Sequence, residues 1–181
     1  MAEQPVKVGD LVQMNEQLGW IEDIGTRATM VRTFSNIHIL VPNSYFLENN
    51  IINWTLNDNN IRCEIRVGVS YGTPTDQVRD LLVQAASDHG LVLAKPAPFV
   101  WLSDFGDNAL ILDLLFWITI TPNIGRQQIE SDVRFHIDKI FREAGIIVAF
   151  PQRDIHLNTS SPLQFELVKK EQRRRQANVQ P

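Results

Sequence analysis

The stretch at residues 109–121, ALILDLLFWITIT, constrains this chain more than any other, because it is the longest apolar run in the sequence. Read as a strand, it puts Leu110, Leu112, Leu114, Phe116 and Ile118 on one face. Ile111, Leu115 and Trp117 fall on the other, with Asp113 and Thr119 as polar positions within the run. A strand apolar on both faces is a central strand covered on both sides, or one whose back meets another subunit. No other segment raises a membrane-spanning reading. A spanning helix takes roughly 18–20 apolar residues; this run is shorter and carries Asp113. The expectation is a chain that crosses no bilayer on its own.

The 181 residues leave room for one large domain or two small ones. Hydrophobic residues at 44% are ordinary for a globular core, and a net charge of −4 argues against wholesale electrostatic binding to nucleic acid or an anionic membrane surface. Cys63 is the sole cysteine, so no intrachain disulfide and no cysteine-based metal cluster can form, which fits a reducing compartment. The first residues, MAEQPVKVGD, lack the apolar core of a secretion signal. They run directly into a strand pattern, as expected of a fragment of a longer protein.

Residues 1–57 read as all-β. Short alternating runs at 11–14, 18–24, 28–34 and 37–41 are separated by turn residues, and 51–54 is a closing strand. Pro42, Asn43 and Ser44 end a strand and can cap a short helical turn at 45–48. Five short strands predict a small, curled SH3- or Sm-like β-barrel, which buries little surface and leans on neighbours.

The polar stretch at 55–60, TLNDNN, marks a boundary. Residues 58–157 follow the order β-α-β-β-α-β, the split ferredoxin-like arrangement. A strand at 61–71 leads to a helix with Thr73 as its N-cap and Pro74 at its first position. Its stripe is Val78, Leu81, Leu82, Ala85 and Ala86, and Gly90 ends it. A strand at 99–105 precedes the central strand. Ile129, Val133, Ile137, Ile140, Phe141 and Ala144 form the stripe of a second helix, capped by Gly145. Gln152, Arg153, Asp154, Ile155, His156 and Leu157 form the final strand. In such a fold the helices cover one sheet face, so Ile111, Leu115 and Trp117 on the other are candidate subunit contacts. Residues 158–181 add an alternating strand at 163–168 and a basic, solvated run at 169–175. The fold class is therefore β followed by α/β.

Chemistry-bearing motifs are sparse. His38, His89, His136 and His156 show no zinc spacing and read as structural or exposed. Asp104 and Asp107 flank a hairpin turn, where aspartate serves the backbone better than it serves acid–base catalysis. No phosphate-binding glycine loop and no nucleophile elbow is present. Gly68, within a strand, marks a close backbone approach. The expectation is a protein that is not an enzyme and holds no cofactor and no metal.

Several phrases carry more. Val8-Gly9-Asp10, the run from Gly19 to Thr29 (GWIEDIGTRAT) and Val41-Pro42-Asn43-Ser44 resemble the β-domain of the small-conductance mechanosensitive channels, the MscS family. Val67-Gly68-Val69-Ser70-Tyr71, Phe105-Gly106-Asp107-Asn108 and the run FPQRDIHL from Phe150 resemble the αβ domain that follows it. The phrases come in order and correctly spaced over roughly residues 5–157.

The resemblance implies a homo-heptamer whose part outside the membrane is a hollow cage on the cytoplasmic side of the bacterial inner membrane. It has portals between subunits and a base barrel of C-terminal strands. Such a cage filters permeating ions and small osmolytes and modulates gating under osmotic stress. The family's transmembrane helices are absent from this sequence, so the remaining partner is the membrane part of the same polypeptide. Gln152–Leu157 and the strand at 163–168 are both open as sources of the base barrel. Pro42, Asn43 and Ser44 would face the end of the pore helix, making Asn43 the candidate that couples cage to gate; a helix cap is the plainer role for it. A ring-forming Sm-like nucleic-acid binder is the alternative, motivated by the β pattern and the basic tail. The net charge and the lack of aromatic-plus-basic strand motifs speak against it.

Overall fold

The computed structural model describes residues 6–151. Turn residues interrupt the first third too often for a long helix, and short strands result. β1 (Leu11–Met14), β2 (Gln17–Ile24), β3 (Ala28–Thr33) and β4 (His38–Pro42) form an antiparallel meander. After the short helix α1 (Asn43–Glu48), the two-residue strand β5 (Ile52–Asn53) returns to pair with β1. The sheet order is β4-β3-β2-β1-β5, the SH3/Sm-like arrangement predicted from the sequence. Asn15 and Asn36 take positive φ at the β1–β2 and β3–β4 turns, a conformation asparagine tolerates. A register shift between Ile21 and Asp23 adds bend to β2. Val12, Met14, Ile21, Val31, Val41 and Phe46 fill the interior.

A strand as short as β5 needs help from side chains. Asp10, buried, accepts from the Lys7 backbone N–H at 3.0 Å and from Asn53 Nδ2 at 2.7 Å. The Leu11 N–H donates to the Thr55 hydroxyl at 2.8 Å. These bonds pin the closing segment to the start of β1.

The second sheet is built from β6 (Asn60–Val69), β7 (Phe99–Phe105) and β8 (Leu110–Thr119), all antiparallel, in the order β6-β8-β7. The long apolar run is thus the central strand. Helices α2 (Thr75–Ser87) and α3 (Arg126–Ala144) pack on the face carrying Ile65, Leu112, Leu114 and Phe116, through Val78, Leu82, Ile129, Val133, Ile137 and Phe141. Leu11 and Trp20 of the first sheet belong to the same core as Ile61 and Ile120, so the two sheets share one interior. Among the described residues, no helix is long and apolar enough to cross a membrane.

Helix ends depart from the sequence reading at α2. The helix begins at Thr75 after Pro74, with no side-chain cap. The Thr73 hydroxyl instead donates back to the Ser70 carbonyl at 2.7 Å, closing the preceding turn. Gly90 does not end the helix either: it stops at Ser87, and Asp88 and His89 donate to the Gln84 and Ala86 carbonyls. At α3 the reading holds. Gly145 sits at φ 70, and Ile146 N–H reaches the Phe141 carbonyl at 2.9 Å, the paired closure a left-handed glycine permits.

The outer edge of β6 is engaged by residues 147–149, which carry no strand pattern of their own. Ser70 N–H donates to the Ile147 carbonyl at 3.1 Å and Ala149 N–H to the Gly68 carbonyl at 3.0 Å. A Cβ on Gly68 would sit 3.3 Å from that of Ala109, the close approach expected there. The strand predicted at Gln152–Leu157 and the later tail lie outside the described residues.

Candidate functional site

The face of the second sheet away from α2 and α3 is where the sequence placed subunit contacts, and the structure divides it into two columns. Along β6 run Arg62, Glu64 and Arg66, opposite Trp117, Leu115 and Asp113. Across β8 and β7 run Ile111, Leu115, Trp117, Phe99 and Trp101, with the Phe99 and Trp101 rings 5.3 Å apart. Leu115 is 2% exposed, so its own chain already covers it, whereas Ile111 and Trp117 remain half-buried. Trp101, at 57%, is the exposed aromatic of the face.

Asp113, a polar residue in the apolar run, is fully used at the centre of this face. Arg66 holds its carboxylate through Nε at 2.8 Å and Nη2 at 3.0 Å, and the Ser103 hydroxyl donates to it as well. The Arg66 hydrogen bond keeps the Asp113 carboxyl below the usual carboxylate range; burial opposes this, and Ser103 adds to it. The arrangement is a fork-to-fork ion pair rather than a catalytic dyad. Asp104 accepts from the Phe105 N–H at 2.8 Å, a backbone role.

The loop candidate sits on the first sheet. Pro42 and Ser44 are exposed and Asn43 is half-buried. Asn43 is the first residue of α1, but its side chain makes no cap. Its Nδ2 donates to the Gly25 carbonyl at 2.9 Å, its Oδ1 accepts from the Thr29 hydroxyl at 2.9 Å, and its backbone N–H reaches the Arg27 carbonyl at 2.9 Å. The capping role considered from the sequence is therefore replaced: Asn43 ties the start of α1 to the β2–β3 hairpin.

Sequence reasoning missed a third cluster, at the junction of the two sheets. Glu130 of α3 is buried between Arg126 and Arg134, at 3.2 and 3.5 Å. The Arg126 guanidinium lies 5.7 Å from the centre of the Trp54 ring. The Glu130 carboxylate also lies close to Cys63 of β6, whose thiol is pushed up to about 12, first by burial and then by the Glu130 charge. The spacing of arginine, glutamate and arginine every four residues was the available signal. The histidines serve locally: His136 Nδ1 lies 3.2 Å from the Ala85 carbonyl and His38 Nε2 lies 2.9 Å from Glu22. Among the described residues no three acidic, histidine or cysteine side chains are arranged to hold a metal.

The family model for the mechanosensitive ion channel β-domain matches residues 1–56, and that for the MscS C-terminal domain matches residues 63–148. Together they span more than half of the chain. The sequence is 32% identical over 169 residues to the mechanosensitive channel MscK of Escherichia coli strain K12, covering 93% of this chain and 15% of MscK. It is 33% identical over 172 residues to an uncharacterised MscS family protein of Haemophilus influenzae, with the same coverage of 93% and 15%. The chain thus spans only a small part of these long relatives. In fold it is similar to the closed-state crystal structure of Helicobacter pylori MscS, with a TM-score of 0.76 and 23% identity over 88% of this chain and 62% of that one. With both domain matches in order along one chain, this protein belongs to the MscS family of mechanosensitive ion channels and carries that family's β-domain and C-terminal domain.

Proposed function

We propose that this chain is the cytoplasmic cage region of a tension-opened channel. Seven copies form a ring-shaped vestibule with portals between them, beneath a pore made by the membrane part of the same polypeptide in the bacterial inner membrane. The observation that carries this reading is the two family domains in sequence, folded as one unit with a shared core. Tension can bias a gate only through a difference between its states, such as area in the membrane. This region therefore acts on what reaches the pore and on how long the pore stays open. The charge and width of the portals would filter ions and small osmolytes, as charged rings do in other pores. Asn43, braced on the β2–β3 hairpin, couples the β-domain to the pore helix. No catalytic step is involved. The family matches give no support to the nucleic-acid alternative.

The test is made in a full-length channel that contains this region. Removing residues 58–157 should alter ion preference and inactivation while tension still opens the pore in excised membrane patches. A channel unchanged in both properties would overturn the reading.

A further inference from the structure

We propose that the first turns of α3 form a conformational clasp between the two sheets: Arg126, lying over Trp54 and paired with Glu130, passes displacement of the first sheet to the seat of α3 on β6, where Cys63 is buried. The clasp is a property of this chain and stands independently of the channel reading.

Each link is fixed at both ends. Trp54 follows β5, and its backbone N–H donates to the Leu11 carbonyl at 2.9 Å. Its indole N–H donates to Gln13 Oε1 at 3.2 Å, so the ring moves with β1. Arg126 lies over that ring and reaches Glu130 at 3.2 Å. Glu130 is buried close to the Cys63 thiol of β6, which packs in one core with its α3 neighbours Ile129 and Val133. A second neighbour comes from the end of β3. The Phe34 ring, just after β3, lies where a Cβ on Gly125 would come within 3.4 Å of it. Two aromatic residues that flank strands of the first sheet thus border the start of α3.

A buried carboxylate is a poor choice for stability alone. Desolvation offsets much of the ion-pair attraction, and a well-packed apolar side chain at such a position is often at least as stable. What a buried, multiply bonded charge provides is registration, since its partners meet in one arrangement only. If the first sheet swings away, Arg126 loses its aromatic seat, the start of α3 loosens on β6, and the thiol beneath it is uncovered. Cys63 is the sole cysteine, so the chain contains its own reporter. While the clasp is closed the thiol is 1% exposed and its ionisation is pushed up to about 12, so it is unreactive on both counts.

The experiment measures the rate at which an aromatic disulfide reagent labels Cys63 in the native 181-residue chain, beside its urea midpoint. Trp54→Leu and Arg126→Gln should each label about tenfold faster, through local opening, than the native chain. Their urea midpoints should move no further than that of Arg134→Gln. Arg134→Gln weakens Glu130 pairing without touching the first sheet, and should leave labelling nearly unchanged. If Arg126→Gln fails to fold, Arg126→Lys keeps the charge, gives up the planar stack, and carries the same expectation. Labelling that rises only in step with lost global stability, or that rises as much in Arg134→Gln, would overturn the clasp.

Discussion

Asn43 donates and accepts at once, so its two smallest changes separate the roles. Asn43→Ala removes the bonds to Gly25 and Thr29 and should cost about 1–2 kcal/mol, read from urea denaturation. Asn43→Asp keeps an acceptor for Thr29 but turns a carboxylate toward the Gly25 carbonyl, and should be no more stable than alanine at neutral pH. Asp113 makes a prediction in pH instead. Its folded pKa is lowered, chiefly by the Arg66 hydrogen bond, from an ordinary 3.8. Such a group contributes stability that is fully present above its unfolded value and is lost as pH falls through the folded one. The urea midpoint of the native chain should therefore drop on acidification below about pH 4 by more than that of Asp113→Asn. Parallel curves for the two proteins through that range would show that the Arg66 pair contributes nothing.

At the scale of elements, what a short window of sequence determines was legible, and what depends on distant partners was not. The alternation of residues 109–121 identified β8, and the spacing of Ile129, Val133, Ile137 and Phe141 identified α3, because both periods repeat locally. Gly145 was readable for the same reason: a glycine just past a helical stripe. Its φ of 70 means that Gly145→Ala should lower stability by about 1 kcal/mol, measurable as a shifted urea midpoint with unchanged slope. Thr73 misled because a hydroxyl can serve the turn behind it as readily as the helix ahead. Residues 147–149 engage β6 with too few positions to show any period. Leu115 looked free to meet a neighbour, yet Phe99 stands directly opposite it and it is sealed. Leu115→Ala should therefore behave as a core truncation, costing about 2–5 kcal/mol in a monomer as much as in any assembly. Glu130 and Cys63 were invisible as a pair, because their contact exists only once α3 lies across β6.

For the whole molecule, the question is what meets the back face of the second sheet. β7 is an edge strand with Trp101 57% and Phe105 69% exposed, and an apolar edge of that kind invites pairing with another chain. A ring disposes of it by repeating one contact, in which a face of each copy meets a different face of the next. The seven-membered ring proposed above predicts a solution mass of about 145 kDa by light scattering, against 20.7 kDa for one copy. Trp101→Glu is the informative variant, because the side chain is exposed and its loss should barely change the urea midpoint of a single copy. On the proposed face it puts an unpaired charge into every contact of the ring at once, so the mass should fall to that of one folded chain. Ile111→Glu, two residues along β8 from the Asp113 that Trp101 faces, should act in the same direction and more weakly, since Ile111 is half-buried already. A heptamer that survives both changes would take this face out of the assembly. The ring would then have to close through the first sheet, whose outer strand β4 carries Leu40 at 71% exposure.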